Sequence, residues 1–170
     1  MLVRLAVIAA ALLASTGTAF AADAKRLGRY GEWESLTYTE GNAKVCYIAT
    51  TAAKVTGGEK GKNSTFLIVT HRPGSKSNDE VSINATYTFK KDSSVELQVG
   101  ALKHSLFTKG ERAWAADPKT DKAIIATLQR GKEAILHASP AKGSDVAATF
   151  PLSGFSDALA SADKACNIKR

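Results

Sequence analysis

The strongest constraint on how this chain can fold is a period of two. Val81, Ile83, Ala85, Tyr87 and Phe89 alternate with Ser82, Asn84, Thr86 and Thr88, and Val95, Leu97 and Val99 alternate with Glu96 and Gln98. Successive side chains of an extended chain point to opposite faces, so this pattern buries one face and wets the other. The polar residues 90–93 between the two runs predict a hairpin, and Gly100-Ala101 leads into a third strand over residues 102–107. Residues 33–39 and 43–50 flank Glu40-Gly41-Asn42, a second hairpin signal. Residues 65–70 are almost continuously apolar and suit a central strand, and residues 134–138 and 146–150 predict a late hairpin.

Two segments leave this period. Asp117-Pro118 reads as a helix N-cap followed by a proline that lacks the N–H the first turn cannot use. Ile124, Ile125 and Leu128 then share a face, and Gly131 marks the stop. Near the end, Phe155, Ala158, Leu159, Ala162 and Cys166 recur at helical spacing, with Ser153-Gly154-Phe155-Ser156 as a serine-capped entry. The fold class expected is mainly β: an antiparallel sandwich or barrel with two short α-helices, the last at the C-terminus. With 44% hydrophobic and 23% charged residues in 170, one domain with a real core is expected.

The N-terminus carries an address. Arg4 precedes an apolar run over residues 5–13, and Ala19-Phe20-Ala21 fits a small-residue cleavage site. Residues 1–21 are therefore read as a signal peptide cleaved after Ala21, residues 22–30 as a basic flexible leader, and residues 31–170 as one β-rich domain. Nine strongly apolar residues are too few to span a bilayer, and no long apolar run follows, so the mature chain is expected to carry no transmembrane segment. The location implied is periplasmic or secreted.

Export changes the meaning of the cysteines. Cys46 and Cys166 are the two in the chain, and in an oxidising compartment an even pair is most simply one disulfide. It would close a loop of about 120 residues, for which chain entropy gives on the order of 4–5 kcal/mol. Zinc would require a close ligand pair, which is absent, and a catalytic thiol would be wasted by pairing. No metal or cofactor is expected.

The three histidines are His71, His104 and His137. His104 alternates with Leu102 and Leu106 and reads as a partly buried strand residue. His71, beside Arg72 and Pro73 at a strand end, is the better functional candidate. Gly-x-Ser-x-Gly is absent, as is a phosphate loop, because residues 57–62 lack the Gly-Lys-Ser/Thr ending. Asp79-Glu80 reads as a solvated turn without the apolar setting that raises a carboxyl pKa.

Charge remains. The formal balance is +7, and removal of Arg4 leaves +6. Lys54, Lys60 and Lys62 fall in one loop region, Arg72 and Lys76 follow the next strand, and Lys90-Lys91 mark a turn. Should these loops share one end of the fold, with His71, they would form a basic rim for an anionic glycan, a lipid head group or an acidic protein. Nucleic acid is not an expected partner, because export argues against it and no aromatic platform interleaves the lysines.

Five segments together resemble the invasion-associated locus B family of exported bacterial proteins, in its shorter branch. They are Gly31-Glu32-Trp33, Val45-Cys46-Tyr47-Ile48, Thr70-His71-Arg72-Pro73, the helix over residues 124–132 ending in Gly-Lys, and Leu152-Ser153-Gly154-Phe155. Longer relatives carry a cysteine where this chain has Thr37 and a cysteine pair near residues 107–114. This chain has neither and carries Cys166 instead, so the resemblance implies the family fold with a different disulfide. It supplies no catalytic residues. The function expected is a non-catalytic binding domain of the envelope; the alternatives are an envelope enzyme using His71 or His104, or a structural envelope protein without ligand.

Overall fold

The computed structural model describes residues 24–59 and 64–170. Eleven strands form one antiparallel sheet: β1 (Lys25–Tyr30), β2 (Trp33–Glu40), β3 (Ala43–Thr51), β4 (Lys54–Gly58), β5 (Thr65–Arg72), β6 (Ser77–Ala85), β7 (Ser94–Val99), β8 (Leu102–Lys109), β9 (Arg112–Trp114), β10 (Glu133–Ala138) and β11 (Ser144–Pro151). Two helices accompany it, α1 (Pro118–Leu128) and α2 (Phe155–Cys166). The strand order is β1-β2-β3-β5-β6-β9-β8-β7-β10-β11-β4. The expected mainly-β class with a C-terminal helix holds, in the form of a single sheet not closed into a barrel among the described residues.

That sheet must curl. β3 is third from one edge, β4 is the opposite edge, and only Ala52 and Ala53 separate them. The Ala52 N–H donates to Thr65 O and the Ala53 N–H to Thr149 O, so this corner is bonded to β5 on one side and to β11 on the other. Inside the curl lie Trp33, Ile48, Leu67, Ile83, Leu97, Leu136, Ala148 and Phe150, all inaccessible to solvent. The helices add Ile124, Leu128, Phe155, Ala158 and Leu159 to the same core. The Trp33 ring meets Phe155 edge-on at 4.9 Å, and its indole N–H donates to Pro151 O at 2.9 Å.

Several local expectations are corrected. Residues 25–30 are not a loose leader: they pair with β2 from Lys25↔Thr37 to Tyr30↔Trp33 as an edge strand, whose charged side chains suit an exposed edge. The alternating run from Val81 ends as a strand at Ala85, and β6 pairs with β9 rather than β7. Phe89 instead bridges Pro140. The pattern signalled extension correctly, but alternation alone does not choose a neighbour. Ser153 does not cap α2; Gly154 stands at that position with φ 88° and no side-chain cap. A Cβ at Gly154 would lie 1.9 Å from Tyr30 O, so backbone crowding fixes the residue. Gly131 likewise serves close packing, since a Cβ there would meet Val99 Cγ1 at 2.4 Å.

Candidate functional site

Two polar constellations stand out, one closed and one open. The closed one begins at the end of β5. Cys46 on β3 lies opposite His71 on β5, both facing the core. Asp163 and Cys166 are three residues apart on α2 and so share a helix face. The Cys46–Cys166 disulfide, with its Cα atoms 6.0 Å apart, fastens α2 onto this part of the sheet. The β5–β6 register shifts between Thr70 and Arg72, and within this bulge Asp79 adopts φ 67°, a left-handed conformation that Asp tolerates better than most residues.

The bulge aims the Asp79 N–H at His71 Nδ1, 3.1 Å away. Nδ1 must therefore be an acceptor, and the ring proton sits on Nε2. Nε2 lies 3.1 Å from Asp163 Oδ1 but off the N–H axis, an electrostatic contact more than a well-formed hydrogen bond. Arg170 closes the cluster. Its Nε donates to Asp163 Oδ2 at 2.6 Å and its Nη2 to Asp163 Oδ1 at 3.0 Å and Asp79 Oδ1 at 2.7 Å. The guanidinium thus supplies the positive charge that two largely buried carboxylates require. Burial pushes the His71 pKa down; Asp163 and Asp79 oppose this, and the Arg170 charge reinforces it. A second proton on the ring would also evict the Asp79 N–H, so the neutral form belongs to this fold.

The open constellation is a cleft of about 510 Å³ on the outer face. Its floor is Phe107 of β8, half exposed, stacked on Trp114 of β9 with ring centroids 5.6 Å apart and planes inclined by 28°. One wall is Lys76 and the start of β6 with Glu80, and the other is the entry to α1. Asp117 caps that helix as expected, accepting from the Lys119 and Thr120 N–H groups at 2.9 Å. Asp121, one turn on, is buried, and its Oδ1 accepts from the Val81 N–H at 2.8 Å. Desolvation raises its carboxyl to about 6, against the lowering effect of that hydrogen bond and with help from Glu80, Asp79 and Asp117.

The residues singled out from sequence scatter between and beyond these places. Cys46 and Cys166 are joined. His71 is wholly buried, which removes it from any surface rim. Arg72 is paired with Glu80 at 3.1 Å and Glu40 at 3.5 Å. Lys76 lies on the cleft wall. Lys54 pairs with Thr149 beside the Thr65 end of β5, whereas Arg72 ends that eight-residue strand. Extended chain advances about 3.3 Å per residue, so roughly 23 Å of β5 separates them. Lys60 and Lys62 lie outside the described residues. His104 holds Thr127 Oγ1 at 3.2 Å and is pushed down by burial, and His137 is exposed on β10.

Asp79 corrects the reading of a solvated acidic turn, since it is only 7% exposed. Asp163, Arg170, Asp121, Phe107 and Trp114 were not singled out. A signal existed for Asp163: it falls four residues after Leu159 and three before Cys166, on the apolar face of α2.

Comparison with known families matches residues 33–163 to the Invasion associated locus B (IalB) protein family. The chain belongs to that family. A search of curated proteins found no match. Among solved structures the IalB-family fold seen here is similar to invasion associated protein b from Bartonella henselae, with a TM-score of 0.59 and 17% identity over 82% of this chain and 97% of that one. At that identity the likeness speaks for the fold.

Proposed function

We propose that this IalB-family chain is an exported domain of the bacterial envelope that works by binding, without catalysis, after removal of residues 1–21. The observation that carries the reading is the disulfide-fastened clasp around His71. Its histidine and carboxylates have the composition of an acid–base site, yet the ring is solvent-inaccessible and Arg170 occupies the carboxylates. A general base must reach the proton it abstracts, and a substrate has no approach to this one. The cluster is better suited to anchoring α2, in concert with a bond that persists in oxidising compartments.

The test is the exported protein itself. Its intact mass is expected to correspond to an N-terminus at Ala22 with both thiols oxidised, and the folded protein is expected to be retained saturably by an isolated envelope fraction. A chain that keeps Met1 in the cytoplasm, or that shows no envelope retention, would contradict the reading. Turnover of an envelope substrate abolished by His71→Gln in folded protein would favour the enzyme alternative.

A further inference from the structure

We infer that the cleft floored by Phe107 and Trp114 is a saccharide site that takes a short, neutral oligosaccharide. Phe107 is 50% exposed although it is large and apolar. Its ring stacks on that of Trp114, with centroids 5.6 Å apart, and both rings line the cleft. The negative face of an aromatic ring attracts the weakly positive C–H face of a sugar, as it attracts the positive edge of another ring. An aromatic lining of this kind suits the apolar C–H face of a sugar ring packed against it.

The surrounding groups fit hydroxyls. Each hydroxyl both donates and accepts, and the walls offer both functions: Lys76, Ser77 and Lys109 donate, and Glu80 and Asp121 accept. The carboxylates are internally committed. Glu80 faces Arg72 at 3.1 Å, Asp117 is occupied by two helix N–H groups, and Asp121 by the Val81 N–H. A cation entering here meets Lys76 and Lys109; an anion meets Glu80 and Asp121. A neutral ligand faces neither repulsion nor the cost of stripping water from its own charge. The cleft volume falls in the range of small-molecule sites. Its walls are held by a bulge and a capped helix turn, so little ordering is needed on binding.

The inference rests on the exported binding-domain reading for where such a ligand is met, and its test is separate. Trp33 and Trp114 are the two tryptophans of the chain. Trp33 is fully buried, so a fluorescence change on titration reports Trp114. Mature protein is titrated with maltotriose, cellotriose and triacetylchitotriose. At least one is expected to give a saturable change with Kd below about 10 mM, with the amide resonances of Lys109, Ala115 and Ala116 moving in parallel. Phe107→Ala is expected to weaken binding at least tenfold, and Phe107→Tyr to retain it. No saturable change with any of the three overturns the inference, as does equal binding by a folded Phe107→Ala protein. Preferential saturation by tetramethylammonium or by a heparin fragment also overturns it. The resonance shifts in the unmutated protein keep the test decisive if a variant misfolds. Failure here leaves envelope retention, the test of the broader reading, unaffected.

Discussion

Asp121→Asn is expected to stabilise this protein at neutral pH, although it alters a buried hydrogen-bonding residue. Asp121 is 8% exposed and its carboxyl is raised from 3.8 to about 6. Between about pH 4 and pH 6 the folded state therefore binds more protons than the unfolded state, and stability falls as pH rises through that window. About two pH units at 1.36 kcal/mol each put the cost at pH 7 on the order of 3 kcal/mol. Asparagine keeps an acceptor for the Val81 N–H and discards the charge facing Glu80, Asp79 and Asp117. The raised value already includes the hydrogen bond's preference for the charged form, so a gain of about 2–3 kcal/mol is expected at pH 7 and almost none at pH 4. Urea unfolding followed by tryptophan fluorescence at the two pH values reads this directly. Asp121→Ala strands the Val81 N–H and is expected to fall below the Asn variant by about 1–3 kcal/mol at both. A loss of stability in Asp121→Asn at pH 7, or an equal gain at pH 4 and pH 7, would refute the reasoning.

The remaining predictions concern the fastening of α2. Arg170→Ala leaves Asp79 and Asp163 without their counter-charge and is expected to cost about 1–3 kcal/mol; the guanidinium is one-third exposed, so the loss stays below that of a fully buried pair. The lowered His71 pKa contributes stability above the unfolded value of 6.5 that is lost as pH falls; between pH 7 and pH 5 the parent is expected to lose urea resistance relative to His71→Gln. Reduction of Cys46–Cys166 is expected to lower stability by about 2–5 kcal/mol, measured as the shift in unfolding midpoint with a reductant. Gly154→Ala forces a Cβ onto Tyr30 O at a positive φ and is expected to cost more than about 2 kcal/mol in the same assay.

The parts of the fold written in the sequence are those set by local periodicity and turn chemistry. The β2–β3, β7–β8 and β10–β11 hairpins and the apolar face of α2 carry short-range signals, and each was legible. What β6 pairs with was not. Alternation from Val81 to Phe89 states which side chains are buried but not which strand lies alongside, and the partner proved to be the three-residue β9. The strand character of Lys25–Tyr30 was hidden because an exposed edge strand has no apolar face to display. The disulfide was legible from the cysteine count together with the expected export. The clasp did not, because His71, Asp79, Asp163 and Arg170 are brought together by a bulge and a helix docking that no local spacing encodes. The outer-face pair Phe107 and Trp114 meets only through the β8–β9 register.

In the proposed function the protein binds through its surface while the His71 clasp holds its fold. Quantitative co-sedimentation of the mature protein with isolated envelope, for the parent and for His71→Gln, tests this most directly. Saturable retention of both proteins with the same affinity is expected, with a lower unfolding midpoint for the variant. Retention no greater than that of an unrelated periplasmic protein of equal charge would contradict it, as would retention that collapses in folded His71→Gln.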